Sequence, residues 1–246
     1  MGTSKTDHLK FAQILAGIVA QITNQESHLT LMNRIEIFIY TLCLSLILKG
    51  GITPEFETQF RTLCELIVYA WSLGVVNLVF CGGALRQLGI RPRTSIGLLG
   101  ILTSPFLHSN WGHLVANTVP FFILGSFVIL GGIRDFFILT MFIPLFSGLG
   151  IWLFGQPYTN HIGASDIIFG YLGFLLVRSY FAHDGLSIVL TVVVSFMYGR
   201  TLWGIFPGEE GVSWEGHFFG LIAGVLVASF LDVFRVMVPA SINGGL

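Results

Sequence analysis

The chain has 246 residues, 54% of them hydrophobic and only 10% charged, with a mean hydropathy of +0.82 and a formal net charge of −1. A soluble domain carries about 25% charged residues, so this chain lacks the polar surface to cover a soluble body and reads as an all-α, polytopic membrane protein. The near-neutral balance and scattered basic residues set nucleic-acid binding aside. Three cysteines, Cys43, Cys64 and Cys81, show no CxxC spacing; they suggest neither a disulfide framework nor a zinc site, and are expected to be small buried hydrophobes.

In chain order, residues 1–61 read as an N-terminal extension. It lacks the pattern of a cleavable signal peptide, although "MGTSKT" matches the loose myristoylation pattern. "LKFAQILAGIVAQI" has helical periodicity suited to a membrane interface. The apolar stretch 35–49 is short for a span, so an interfacial helix, a tilted helix and a seventh span all stay open. Residues 62–236 read as the membrane domain, with spans at 62–83, 112–132, 135–154, 164–182, 186–206 and 215–236. Residues 237–246 form a short tail. The long link "LRQLGIRPRTSIGLLGILTSPFLHSN" is too broken to span and is expected to be a structured interfacial loop. "GGIRD" and "FAHDG" read as tight turns, "GQPYTNHIG" and "FPGEEGVSW" as loops rich in turn residues. With six spans, Lys5, Lys10, Arg34, Lys49, Arg61, Arg134, Arg178 and Arg235 share one side, eight of the twelve basic residues. That bias predicts a cytoplasmic N-terminus.

Polar residues inside spans mark function by default. Three groups fall near the outward ends of spans. "HSNWGHLVAN" supplies His108, His113 and Asn117, the last two four residues apart and so on one helix face. Ser165 begins the fourth span, and His217 lies near the start of the sixth. Gly216, Gly220 and Gly224 repeat every fourth residue, a pattern that lets helices approach closely. The fourth span carries Gly163, Ala164, Gly170 and Gly173 as the answering face. If the two helices touch, an imidazole at His217 can take the proton of Ser165, and His113 and Asn117 can donate to a developing oxyanion. Three histidines also admit a metal-site reading, which no HExxH motif or carboxylate cluster supports.

These residues resemble the rhomboid family of intramembrane serine proteases over roughly residues 62–236. "HSNWGHLVAN" is similar to the family's H-x4-H-x3-N pattern, "GASD" to its GxSG box and "GHFFGLIAG" to its H-x2-G-x3-G pattern. The resemblance implies a six-helix bundle and a dyad of Ser165 and His217 without a catalytic aspartate. It implies an oxyanion site from His113, Asn117 and the Ser165 N–H, with His108 supporting, Gly163 in the GxSG box and Phe169 packed on the dyad histidine. No cofactor is implied. The implied partners are the lipid bilayer and single-span membrane proteins, cut near the outer end of a helix, with "GQPYTNHIG" and "FPGEEGVSW" as gates. The location implied is the plasma membrane. Two features depart from the pattern. "GLLGILTSP" stands where many members carry Trp-Arg, and Asp166 stands where the box has glycine. A carboxylate beside the nucleophile would repel developing charge, the basis for reading the chain as a pseudoprotease that binds without cutting. The milder expectation is that Asp166 faces loop and water, favoured by the helix macrodipole.

Overall fold

The structure is a computed structural model that describes residues 54–208 and 212–238. Cys43, the stretch 35–49, the "MGTSKT" pattern, the centre of "FPGEEGVSW" and the tail beyond 238 lie outside the described residues.

Every regular element among the described residues is helical, as apolar segments this long demand when no water is present to satisfy the backbone. The helices are α1 (Pro54–Val75), α2 (Ser95–Thr103), α3 (Trp111–Leu130), α4 (Ile133–Phe154), α5 (Ser165–Ala182), α6 (Gly185–Tyr198), α7 (Trp214–Ser229) and α8 (Leu231–Met237). α1 runs on through a wide turn to Phe80, and α6 continues as a tighter 3-10 stretch, Gly199–Ile205. Five segments are long and apolar enough to cross a membrane, and α7 with α8 makes a sixth if the bent pair counts as one span. The protein is a multi-pass membrane bundle.

α5 sits at the centre. Of its span, 56% is buried inside the protein, against 17% for each of the α1 and α6 spans. It packs most extensively against α7, as the spacing of small residues predicts. A methyl added at Gly220 would collide with the Asp166 carbonyl, and one at Gly224 with the Gly170 carbonyl. Gly173 meets the backbone of Leu221 in return. Two of the expected partners differ. Gly216 lies against Ser213 and Ile151, and Gly163 faces α3 rather than α7. Cys64 and Cys81 are free thiols, half-buried rather than buried.

The link between α1 and α3 is a built structure. Thr94 caps α2, accepting from the Gly97 N–H. Arg93 reaches the carbonyls of Leu153 and Gly155, each at 2.9 Å, and so closes the carbonyl end of α4. The Trp152 indole donates to the Thr94 carbonyl at 2.8 Å.

One predicted span needs correction. Residues 215–236 are not one helix: α7 ends at Ser229 and α8 leaves at 80°. Ser229 bonds back to the Val225 carbonyl at 2.9 Å, a local competition that bends helices. Beyond the bend, Arg235 forks onto Asp135 at the start of α4, with bonds of 2.8 and 2.7 Å. Arg134 in turn donates to the carbonyls of Arg235 and Val238. Asp135 is 2% exposed, so removing its partner leaves a buried charge. Arg235→Ala should therefore cost about 1–3 kcal/mol, less than a fully buried pair because the arginine side chain is 32% exposed. Thermal unfolding in detergent reads this, with Asp232→Asn as the contrast: that carboxylate is 95% exposed and should matter little.

Candidate active site

Ser165 is the first residue of α5, half-buried at its N-terminus. The first N–H groups of a helix have no partner within it, so the backbone here presents donors to whatever sits above Ser165. Gly163 makes the approach possible. Its φ of +110° is a conformation that other residues resist, and its N–H is fixed on the Ser104 carbonyl at 2.9 Å.

His217 stands one turn into α7, and its ring lies parallel to Phe169, 4.1 Å between centroids and 7° between planes. Phe169 follows Ser165 by four residues, so both project from the same face of α5. Nδ1 of His217 lies 2.9 Å from the Gly204 carbonyl at the end of the α6 segment. A carbonyl only accepts, so Nδ1 carries the hydrogen and Nε2 is left with its lone pair. That tautomer is the one a general base requires. Ser165 Oγ makes no hydrogen bond among the described residues, to His217 or to any other group. Such contacts tighten when substrate is bound.

His113 and Asn117 face Gly163. A Cβ placed on Gly163 would lie 2.7 Å from His113 Nε2 and 3.1 Å from Asn117 Nδ2. The Ser109 N–H donates to His113 Nδ1 at 3.5 Å, which makes Nδ1 the acceptor and leaves the hydrogen on Nε2. Asn117 is 7% exposed and its Nδ2 has no partner. Two N–H donors thus converge above the glycine. His108 lies behind them, 1% exposed, its ring edge-on to His113 at 5.1 Å. Burial, then the neighbouring His113, push the His108 pKa down to about 4. Its folded pKa lies below the unfolded value of 6.5, so its contribution to stability is whole above about pH 6.5 and lost as pH falls toward 4. Melting temperatures taken between pH 7 and pH 4.5 should fall over that window, and His108→Phe should flatten the fall. Among the described residues, no group of three His, Cys, Asp or Glu side chains is placed to hold a metal ion.

A family model, the Rhomboid domain, matches residues 97–232, more than half of the chain and all of the residues above. The chain belongs to the rhomboid family. An uncharacterized protein of Mycobacterium tuberculosis is 43% identical to it over 195 residues, 73% of this chain and 81% of that protein. One from Mycobacterium leprae is 38% identical over 197 residues, 74% and 78% of the respective chains. A putative rhomboid protein of Acanthamoeba polyphaga mimivirus is 28% identical over 138 residues, 53% of this chain and 74% of that one.

Against the expectation that Asp166 faces water, this rhomboid buries it, leaving 5% exposed. Its carboxylate accepts from Ser147 Oγ of α4 at 2.7 Å and from the Ile167 N–H at 2.8 Å. Successive helix positions diverge by about 100°, and here that rotation aims Asp166 at α4 while Asn117 and His113 lie toward α3. The side chain acts as a tie between the start of α5 and α4.

Four further residues shape the site of this rhomboid and were not singled out from sequence. His161, 6% exposed, joins Ser213 Oγ at 2.5 Å and Thr159 Oγ1 at 2.7 Å. Its backbone pairs with Ile90 in both directions at 2.9 Å. Ser213 caps α7 by accepting from the Gly216 N–H. The loop before α5 is therefore clamped to the helix that carries His217. Ser147 was legible in principle, as a hydroxyl inside an apolar run. Gly204 acts through its carbonyl, which leaves no mark in the sequence.

Proposed function

We propose that this rhomboid is an intramembrane serine endopeptidase. The observation that carries the reading is the lock on His217: the Gly204 carbonyl holds the hydrogen on Nδ1, and Phe169 stacks the ring on the face of α5 that bears Ser165. In the reaction, Ser165 Oγ attacks the scissile carbonyl and passes its proton to Nε2 of His217. The oxyanion accepts from Asn117 Nδ2, His113 Nε2 and the Ser165 N–H, each such donor worth about 3–4 kcal/mol in a dry site. His217 then protonates the leaving amine, and water releases the acyl group from Ser165. Substrates are single-span membrane proteins, which reach a dyad set at the end of two membrane helices through the bilayer. The distribution of Lys and Arg supports a cytoplasmic N-terminus, and the location proposed is the plasma membrane.

The test is labelling of the purified full chain by a fluorophosphonate that reacts with activated serines. The wild type should label and Ser165→Ala should not. An unlabelled wild type would point to the second reading, a rhomboid that binds membrane clients without cutting them. Asp166 is the motive for that reading, and its engagement with Ser147 weakens it. Asp166→Asn keeps an acceptor for Ser147 and should label within about threefold of wild type, the share of one neutral hydrogen bond. Asp166→Gly should lower the melting temperature without raising the labelling. A gain of labelling in Asp166→Gly would reinstate the carboxylate as an inhibitor of the site.

A further inference from the structure

Behind the oxyanion donors lies a cavity of about 430 Å³, walled by α1, α2, α3, α4 and the first turn of α5. Its size falls within the range of about 300–1,000 Å³ seen for small-molecule sites. Most of its wall is apolar, with Ile67 and Ala70 from α1, Ile101 from α2 and Met141 and Leu145 from α4. Four lining residues carry polar side chains: His108, Asn117, Thr118 and Thr140. The threonines are already engaged. Thr118 accepts from the Trp71 indole and donates to the Leu114 carbonyl. Thr140 bonds the Phe136 carbonyl and the Tyr171 hydroxyl. The free polar atoms are both ring nitrogens of His108 and Nδ2 of Asn117, all buried and without a partner. His108 packs against His113 and Asn117 faces Gly163, so both stand on the active-site side of the cavity.

Such orphaned groups call for a partner. A water needs two to four polar neighbours, which this side supplies and the remaining length does not. The lining holds no charged residue, so nothing there balances a carboxylate or phosphate. A neutral imidazole offers one donor and one acceptor, and the asparagine amide offers donors. The complement is a hydroxyl or an ester carbonyl at the end of a hydrocarbon chain. The flank is open: Leu102 and Met141 are 65% and 48% exposed.

We propose that this cavity binds the single acyl chain of an uncharged glycerol ester, a monoacylglycerol, with its head on His108 and Asn117 and its tail between α1, α2 and α4. The site adjoins the proposed oxyanion donors and shares Asn117 with them, but its test reads cross-linking and does not depend on cleavage. The full-length protein in detergent is exposed to a monoacylglycerol carrying a diazirine in mid-chain and a terminal alkyne, and the cross-linked residues are mapped by mass spectrometry. Cross-links should concentrate on residues 66–70, 101–106 and 140–145. Ala70→Trp and Met141→Trp fill the cavity from different helices and should each remove most of that labelling. Excess unlabelled monoacylglycerol should compete, and the same chain ending in a carboxylate or in phosphocholine should compete about three- to tenfold less well, the share of one hydrogen bond. Equal competition by all three heads, or cross-links spread over α6 and untouched by the filled variants, would overturn the proposal. If either tryptophan variant fails to purify as a monodisperse species, the map and the competition on the wild type decide.

Discussion

Ser165→Ala should abolish cleavage of a reporter transmembrane substrate, a loss on the order of 10⁴–10⁶-fold if the nucleophile and base act as a unit. His217→Ala should lose as much, and the double variant no more, because either loss alone disables the same step. The comparison separates chemistry from folding, since Ser165 Oγ makes no hydrogen bond among the described residues and its removal should leave the melting temperature unchanged. Cleavage is read on gels of reconstituted protein. Residual cleavage by Ser165→Ala above background would rule out Ser165 as the nucleophile. Asn117→Ala is a gentler companion: it removes one oxyanion donor, so about a 10²–10³-fold fall in kcat is expected.

Gly224→Ala should have the largest effect on the fold. One added methyl group meets the Gly170 carbonyl at less than contact distance, and backbone atoms on the central helix cannot turn aside as a flexible side chain does. Overpacking typically costs about 1–3 kcal/mol, and more when backbone must move. α7 would be pushed from α5, and His217 would leave the face of Phe169, so cleavage should fall along with the melting temperature. Gly185→Ala is the contrast. Nothing lies within 4 Å of a Cβ there, and that variant should melt at or slightly above the wild type. A Gly224→Ala protein that melts and cleaves normally would mean that the α5–α7 contact is looser than described.

The membrane class and five of the spans were legible because hydrocarbon imposes length and composition directly on sequence. The closeness of α5 and α7 was legible for a similar reason: only glycine leaves room for a carbonyl, so the spacing of Gly220 and Gly224 records the contact. Gly163 and Gly216 carry the same letter for other purposes, one a turn beneath His113 and the other a neighbour of the α7 cap. Composition cannot tell these uses apart. The bend after Ser229 was hidden because apolar content continues through it, while the contact that anchors α8 beyond it, Arg235 on Asp135, joins residues 100 positions apart. The direction of Asp166 was hidden for a related reason. Whether a side chain at a helix start meets water or a neighbour depends on how the helices pack, and only Ser147 in α4 resolves it.

The bond between His217 and Gly204 has a consequence for timing. Gly204 belongs to the segment of α6 that is among the least embedded in the bundle. Any sideways swing of that segment, such as admitting a guest helix between α6 and its neighbours would require, removes the acceptor that pins the imidazole hydrogen. The ring is then free to exchange tautomers, and in the other tautomer its basic nitrogen is Nδ1 rather than Nε2. On the proposed function, opening and readiness to react would be opposed states of one small tether, and a client that left before the tether re-formed would depart uncut.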